Sequence, residues 1–216
     1  MEILYRDNKI VVCVKPAGVL STDEPGGMPE QLRAELGDAA AKICTVHRLD
    51  AAAGGVMVYA RTRHAAADLS RYIREDRVEK TYRAVLRGVP AEKSGELRDF
   101  LFHDARRRMT FVVPGPGKDV KESALAYTVL QEREGLALTE IRLITGRTHQ
   151  IRCQFAHLGT PLWGDGKYGL PGESGPLALW SRRLAFPHPV TGERMEFAKA
   201  PPAAEPWTLF DREEKE

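Results

Sequence analysis

Short apolar runs rich in β-branched residues recur along this chain, several of them closed by glycine or proline turn formers, and few stretches of helical period separate them. A chain with that rhythm is driven toward a sheet, because period-two and unbroken apolar runs bury their side chains only when strands pair. Strands are expected at Ile10–Val14, Gly55–Ala60, Thr81–Leu86, Glu96–Phe102, Met109–Val113, Ala124–Gln131, Ala137–Ile144 and Leu177–Phe186. A hairpin is expected over His188–Phe197, around Thr191 and Gly192. Helices are expected at Pro29–Leu36, with proline in the first turn, and at Ala65–Arg74, with Leu69 and Ile73 on one face. A third follows Gly146, with Ile151, Phe155 and Leu158 spaced for a single apolar face. The expectation is α+β: one domain over residues 1–216, on a mixed, mostly antiparallel β-sheet flanked by helices. The Gly/Pro loops Pro114–Lys118 and Gly169–Pro176 are too short to be domain linkers.

A chain of 216 residues, 43% hydrophobic and 29% charged, can bury a core without a metal or disulfide to staple it. Its first residues alternate charged and apolar positions and lack the features of an export signal, so the cytoplasm is the expected location, with no membrane attachment. Cys13, Cys44 and Cys153 are widely spaced, odd in number and set among apolar residues, which points to buried free thiols in a reducing compartment. No cysteine pair or HExxH motif supplies metal ligands, so no metal is expected.

The net charge of +2 does not announce a nucleic-acid partner. Its distribution says more. Arginines cluster at Arg106–Arg108, at Arg142, Arg147 and Arg152, and at Arg182 and Arg183, while the acidic end Phe210–Glu216 offsets them in the sum. Such runs also serve as solvated faces, so charge by itself does not decide.

Three segments carry groups able to do chemistry. In "VHRLDAAAGG", Asp50 precedes Ala51, Ala52, Ala53, Gly54 and Gly55, small residues that would let a ligand approach the backbone; an aspartate here can also simply close a turn. In "LITGRTHQIRCQFAHLG", a glycine turn between strand and helix presents Arg147, whose planar fork suits a carboxylate or phosphate. His149 and Gln150 in that turn read either as a base-reading or as a structural pair. In "EKTYRAVLRG", Tyr82 lies on a strand as a core aromatic or as a stacking platform.

Taken in order, with Lys15–Gly18 and Gly164–Gly169, these segments resemble the RluA-type pseudouridine synthases. The matching patterns are HRLD at His47–Asp50, K-x-Y-x-A at Lys80–Ala84, and L-x-T-G-R-x-H-Q-I-R at Leu143–Arg152, continuing through His157, Gly159, Pro161, Gly164 and Asp165. The resemblance runs from about Ile3 to Pro202. It departs from the family pattern at Ala53 and Gly54, where threonine and serine are common, and at Trp180 and Ser181 in the late segment. The small N-terminal RNA-binding module carried by many relatives is not expected.

The resemblance implies the pseudouridine synthase fold, and an isomerase that converts uridine in ribosomal or transfer RNA to pseudouridine without a cofactor. It implies Asp50 as the catalytic carboxylate, Arg147 paired with it, and Tyr82 stacked on a target base flipped from the RNA. Arg48 would hold a phosphate, and Ile144, His149, Gln150 and Arg152 would contribute to substrate binding. A stem-loop is the expected RNA and a monomer the expected state. The alternative is a noncatalytic RNA-binding protein or assembly factor that retains the fold.

Overall fold

The computed structural model describes residues 1–210, so most of the acidic end lies outside it. In chain order the elements are β1 (Glu2–Arg6), β2 (Ile10–Lys15), α1 (Met28–Glu35), β3 (Cys44–Thr45), β4 (Gly54–Ala60), α2 (Arg63–Arg74) and β5 (Glu79–Arg87). There follow β6 (Ser94–Asp104), β7 (Met109–Val113), β8 (Val120–Arg133), β9 (Leu136–Leu143), α3 (Gln150–His157), β10 (Leu179–Pro187), β11 (Arg194–Ala198) and a 3-10 turn at Trp207–Leu209. The chain divides into two compact units, Met1–Thr81 with Trp180–Ala200, and Tyr82–Leu179 with the residues from Pro201 on. The fold is α+β on mixed, mostly antiparallel strands, as the apolar rhythm requires.

In the first unit the strands lie in the order β1-β2-β4-β10, with β3 paired to β4 and β11 to β10. Among these pairs only β4–β10 is parallel. Every residue of β4 is buried, which is why its sequence is an unbroken apolar run and not an alternating one. Helix α2 starts where the Thr62 hydroxyl accepts the Ala65 N–H at 3.1 Å. Packing on the sheet turns one face in: Ala65, Leu69 and Tyr72 lie in one cluster with Ile10, Val12, Val56, Val58, Leu184 and Phe186, while Ile73, expected inward, is only half-buried. Each large side chain buried in this cluster contributes roughly 1.5–3 kcal/mol relative to exposure. No crosslink is needed.

The glycines after Asp50 serve the sheet. A Cβ on Gly54 would stand 2.5 Å from the Trp180 ring, and one on Gly55, at φ +121°, would strike the Ser181 backbone. Ala53 is buried as well, so only Ala51 and Ala52 of this small-residue run are exposed. The sequence reading, in which the whole run makes room for a ligand, is corrected here: β10 occupies the space over the glycines. Two departures from the family pattern thereby explain each other, because Gly54 is what admits Trp180. The indole is held in turn by its N–H, which donates to the Lys199 carbonyl at 2.8 Å.

In the second unit the order is β5-β9-β8-β6-β7, and the registered pairs β6–β7, β6–β8 and β8–β9 are all antiparallel. Strands β8 and β9 join through Glu134 and Gly135, both at positive φ (52° and 74°), the backbone of a tight two-residue hairpin turn. Strands β6 and β8 extend past their expected ends. The added residues of β8, Val120–Ser123 and Glu132–Arg133, are held by ladder hydrogen bonds to β6 and β9, and their mostly polar side chains carry no burial signal. Helix α3 is buried from Gln150 to Phe155 and ends at Leu158, which is exposed because Gly159 (φ 86°) turns the chain away; the expected apolar position at Leu158 is not used. Val85, Leu136, Leu138, Ala178 and Phe210 form a further cluster, against which Trp163, Trp207 and Leu209 pack.

Candidate active site

Asp50 sits half-buried in a turn closed by the Ala53 N–H donating to the Asp50 carbonyl at 3.0 Å. Two neighbours hold that turn. Leu49 is clamped by Ser21, whose hydroxyl donates to the Leu49 carbonyl at 3.0 Å and accepts its N–H at 3.1 Å. Lys15, at the end of β2 and fully buried, donates from its ammonium to the carbonyls of Pro16 (2.9 Å), Val19 (2.5 Å) and Ala51 (3.0 Å). The Gly18 N–H donates to the same Ala51 carbonyl at 2.8 Å, with Gly18 at φ 88°. Burial pushes the Lys15 ammonium down to about 8, against the opposing pull of the Asp50 carboxylate. The sequence offered one sign of this role: a lysine ending an apolar run just before Pro-Ala-Gly.

Arg48 is exposed, one residue from the Leu49 clamp. His47 is half-buried, and its Nε2 accepts the Val58 N–H at 3.1 Å, which requires that nitrogen to be unprotonated. Burial, with the Lys80 charge adding to it, pushes the His47 imidazole down to about 3. The native state therefore binds this proton less readily than the unfolded chain. Above pH ~6.5 neither state is protonated and the full stability is present; as pH falls from ~6.5 toward 3 the unfolded chain gains a proton that the native state refuses, and stability drops. At pH 5 the loss is expected to reach at most ~2 kcal/mol. Denaturant unfolding at pH 7 and pH 5 checks it: His47→Gln, which can still accept from Val58, should lose this share of the pH dependence, and an identical dependence in both proteins would remove His47 as its source.

The second unit carries Tyr82 and Arg147. Tyr82 lies on β5 and is 6% exposed. The turn between β9 and α3 is organised by Gln150, which is buried: its Oε1 accepts the Arg147 N–H at 2.9 Å and the Thr145 hydroxyl at 2.8 Å, and its Nε2 donates to the Ala124 carbonyl at 3.0 Å. Ile144, half-buried, donates its N–H to the same Ala124 carbonyl at 3.1 Å. Arg147 is exposed, with Nε donating to the Glu122 carbonyl at 2.9 Å. With His103, Arg106, Lys121 and Thr148 it lines a cavity of about 670 Å³.

Arg152 lies beyond that opening. It is buried and bidentate to Asp165, with Nε donating at 2.8 Å and an NH2 group at 2.7 Å. Asp165 also accepts the N–H groups of Lys167 and Tyr168 at 3.0 and 3.1 Å. Burial alone would raise this carboxyl, but the guanidinium and the two amides outweigh it and hold it below the usual carboxylate range. The glycine loop "GDGKYG" thus closes on its own aspartate, which occupies the amides a phosphate would need. Of the residues singled out in sequence, Arg147 and Arg48 are open to solvent, His149 and Ile144 are half-buried, and Gln150 and Arg152 are buried with these partners. Lys15, Ser21, Asp165 and Tyr168 belong to the framework; Lys15, Asp165 and Tyr168 stood in the matched motifs without an assigned role, and Ser21 lay outside them.

Among the described residues no three His, Cys, Asp or Glu side chains gather as metal ligands would. Burial pushes the Cys13 thiol up to about 12 and Cys153 to about 11, so both are unreactive near neutrality, while Cys44 is half-buried. Among the described residues no helix is long and apolar enough to cross a membrane.

Residues 9–157, a span that includes Asp50, Tyr82 and Arg147, match the RNA pseudouridylate synthase family. The chain is 32% identical over 209 residues to the dual-specificity RNA pseudouridine synthase RluA of Haemophilus influenzae, covering 91% of each protein. It is 34% identical over 205 residues to the RluA of Yersinia pestis, covering 91% of this chain and 97% of that one. Among solved structures, human RNA pseudouridylate synthase domain containing 1 superposes with a TM-score of 0.81 at 25% identity, over 94% of this chain and 84% of that one. The family match over residues 9–157 and agreement over nearly the full length of these two RluA proteins, together with the ordered motifs, make this chain a member of the RNA pseudouridylate synthase family, an isomerase of the RluA type.

Proposed function

We propose that this protein converts uridine to pseudouridine at defined positions of ribosomal or transfer RNA, with Asp50 as the catalytic carboxylate. The observation that carries this reading is the framework around Asp50. A fully buried ammonium, Lys15, is spent on the carbonyls of Pro16 and Val19 in the loop after β2 and of Ala51 in the Asp50 turn, and Ser21 locks Leu49, the residue before Asp50. Burying a lysine is costly, and a turn that merely joins β3 to β4 would not need it.

In the reaction the bond between uracil N1 and ribose C1′ breaks, the base rotates while bound, and C5 bonds to C1′; the proton leaving C5 is balanced by one gained at N1. Atoms and charge are conserved, so no redox partner is consumed. Asp50 acts on the sugar, and Arg147 steers it as its ion-pair partner. Tyr82 stacks on the base and takes part in removing the C5 proton. The target nucleotide must leave its stack, at about a few kcal/mol, least in a loop, so a stem-loop is the favoured substrate. Arg48 holds a phosphate and His149 and Ile144 border the base, while Gln150 and Arg152 keep the turn in shape. The chain acts as a single catalytic domain, a monomer in the cytoplasm.

Pseudouridine mapping across cellular RNA, with and without this protein, tests the proposal: defined sites should vanish on deletion and return with the wild-type chain. An unchanged map, together with no conversion of uridine-bearing stem-loops by purified protein, would overturn it. Tyr82→Phe keeps the ring and is expected to slow turnover on the order of 10²-fold, read in single-turnover assays. An unchanged rate would confine Tyr82 to stacking.

A further inference from the structure

Three segments of the second unit meet in a cluster of which the chemistry above uses only His149. They are the β6–β7 hairpin (His103, Arg108, Thr110), the turn before α3 (Thr148, His149) and the loop after Asp165 (Lys167, Tyr168). The Thr110 N–H donates to the Tyr168 hydroxyl oxygen at 2.7 Å, the Thr110 hydroxyl donates to the Thr148 carbonyl at 2.8 Å, and Lys167 Nζ donates to the Arg108 carbonyl at 2.8 Å. His149 Nδ1 lies 2.8 Å from the Tyr168 hydroxyl, and His103 Nδ1 lies 3.0 Å from the Thr110 hydroxyl. The His149 ring stands edge-on to Tyr168, with centroids 5.6 Å apart at 79°, and to His103, at 6.3 Å and 90°. Arg152, fixed by Asp165, lies 5.2 Å over the Tyr168 ring.

The protons available to these groups decide which way each bond runs. The Tyr168 oxygen accepts from the Thr110 N–H and has a single proton to give; the Thr110 hydroxyl also lies against it but commits its own proton to Thr148, and we assign the Tyr168 proton to His149 Nδ1, 2.8 Å away. Burial raises the Tyr168 phenol, so that proton is present at neutral pH. Nδ1 of His149 must then be bare, which puts the ring proton on Nε2. The same count applied to Thr110, whose proton goes to Thr148, makes His103 Nδ1 a donor. His149 is also the one residue of its turn at positive φ (54°), directly before α3 and two residues from Arg147, so what holds its ring holds the turn.

We propose that Tyr168 is a positioning residue: its hydroxyl sets His149 in the neutral Nε2–H form and, by joining His149 to Thr110, fixes the turn that carries Arg147 against the basic hairpin Arg106–Arg108. The consequence for turnover rests on the RNA-modifying role proposed above; the tautomer does not.

The test is nitrogen NMR of the full chain with ¹⁵N-labelled histidine, His149 being assigned by the signal lost in His149→Asn, alongside steady-state kinetics on a stem-loop substrate. In the wild type, His149 should show a bare Nδ1 and a protonated Nε2. In Tyr168→Phe the two forms should mix, kcat should fall roughly tenfold with KM within about twofold, and the melting temperature should stay close to the wild type. In a His149→Asn background, Tyr168→Phe should change kcat no further. A wild-type His149 protonated at Nδ1 overturns the proposal without any variant, as does an unchanged tautomer or an unchanged kcat in Tyr168→Phe. If the tautomer behaves as described while the wild type makes no pseudouridine, the proposed function fails and the inference about the ring stands.

Discussion

Asp50→Asn is expected to lower pseudouridine formation on the order of 10³-fold or more while leaving RNA binding nearly intact. The two side chains have almost the same shape, and the turn that presents residue 50 is held by hydrogen bonds to backbone groups of Leu49, Asp50 and Ala51 from Ser21, Ala53, Gly18 and Lys15, which an asparagine leaves in place. The fold should therefore persist. Affinity should persist too, since contacts from arginines and lysines to phosphates supply most of it, and removing one negative charge does not weaken them. What disappears is the anionic oxygen proposed to act on the ribose. Single-turnover conversion of a stem-loop, run beside filter binding at two salt concentrations, separates the terms. An Asp50→Asn variant that modifies RNA at the normal rate would strip Asp50 of its role; one that loses binding in step with conversion would mean that the carboxylate builds the pocket instead of acting in it.

The second large effect is on stability. Arg152→Met is expected to destabilise the protein by about 3–5 kcal/mol, because it leaves the Asp165 carboxylate buried without its counter-charge. For a chain of this size that corresponds to roughly a 10 °C fall in melting temperature. The matched double replacement Arg152→Met with Asp165→Leu removes both charges and should recover much of the loss, since an apolar pair of similar volume often replaces a buried ion pair at little cost. Recovery should be incomplete, because Asp165 also ties down the N–H groups of Lys167 and Tyr168. Thermal unfolding of the three proteins decides it: an Arg152→Met variant that melts within a degree or two of the wild type would show that solvent reaches the pair.

Arg152 also illustrates how far the sequence could be read. Its place in the L-x-T-G-R-x-H-Q-I-R run identified the turn, and the resemblance assigned it to substrate, yet its fork is occupied by Asp165, thirteen residues on. Nothing local marks that pairing, because a charged residue in a motif looks the same whether its partner is RNA or a buried carboxylate. Gln150 behaves alike: its amide spans Thr145, Arg147 and Ala124, and only the last lies outside the motif. Helix α2 shows the opposite case. Its period was plain, and the inward face differed from expectation by one residue because packing on the sheet, and not the period, selects which side of the helix turns in.

From the sequence alone came the strand-dominated α+β class, the run of β4 buried on both faces, the ordered motifs holding Asp50, Tyr82 and Arg147, and the family. These are legible because apolar period and motif spacing are properties of neighbouring residues. Tertiary structure alone decided that Lys15 braces the Asp50 turn, that Gly54 yields its space to Trp180, that Asp165 holds Arg152, and that Tyr168 joins the hairpin to the Arg147 turn. Each of these depends on two groups far apart in the chain meeting within about 3 Å, and hydrogen bonding and close packing act through space, where sequence distance carries no information.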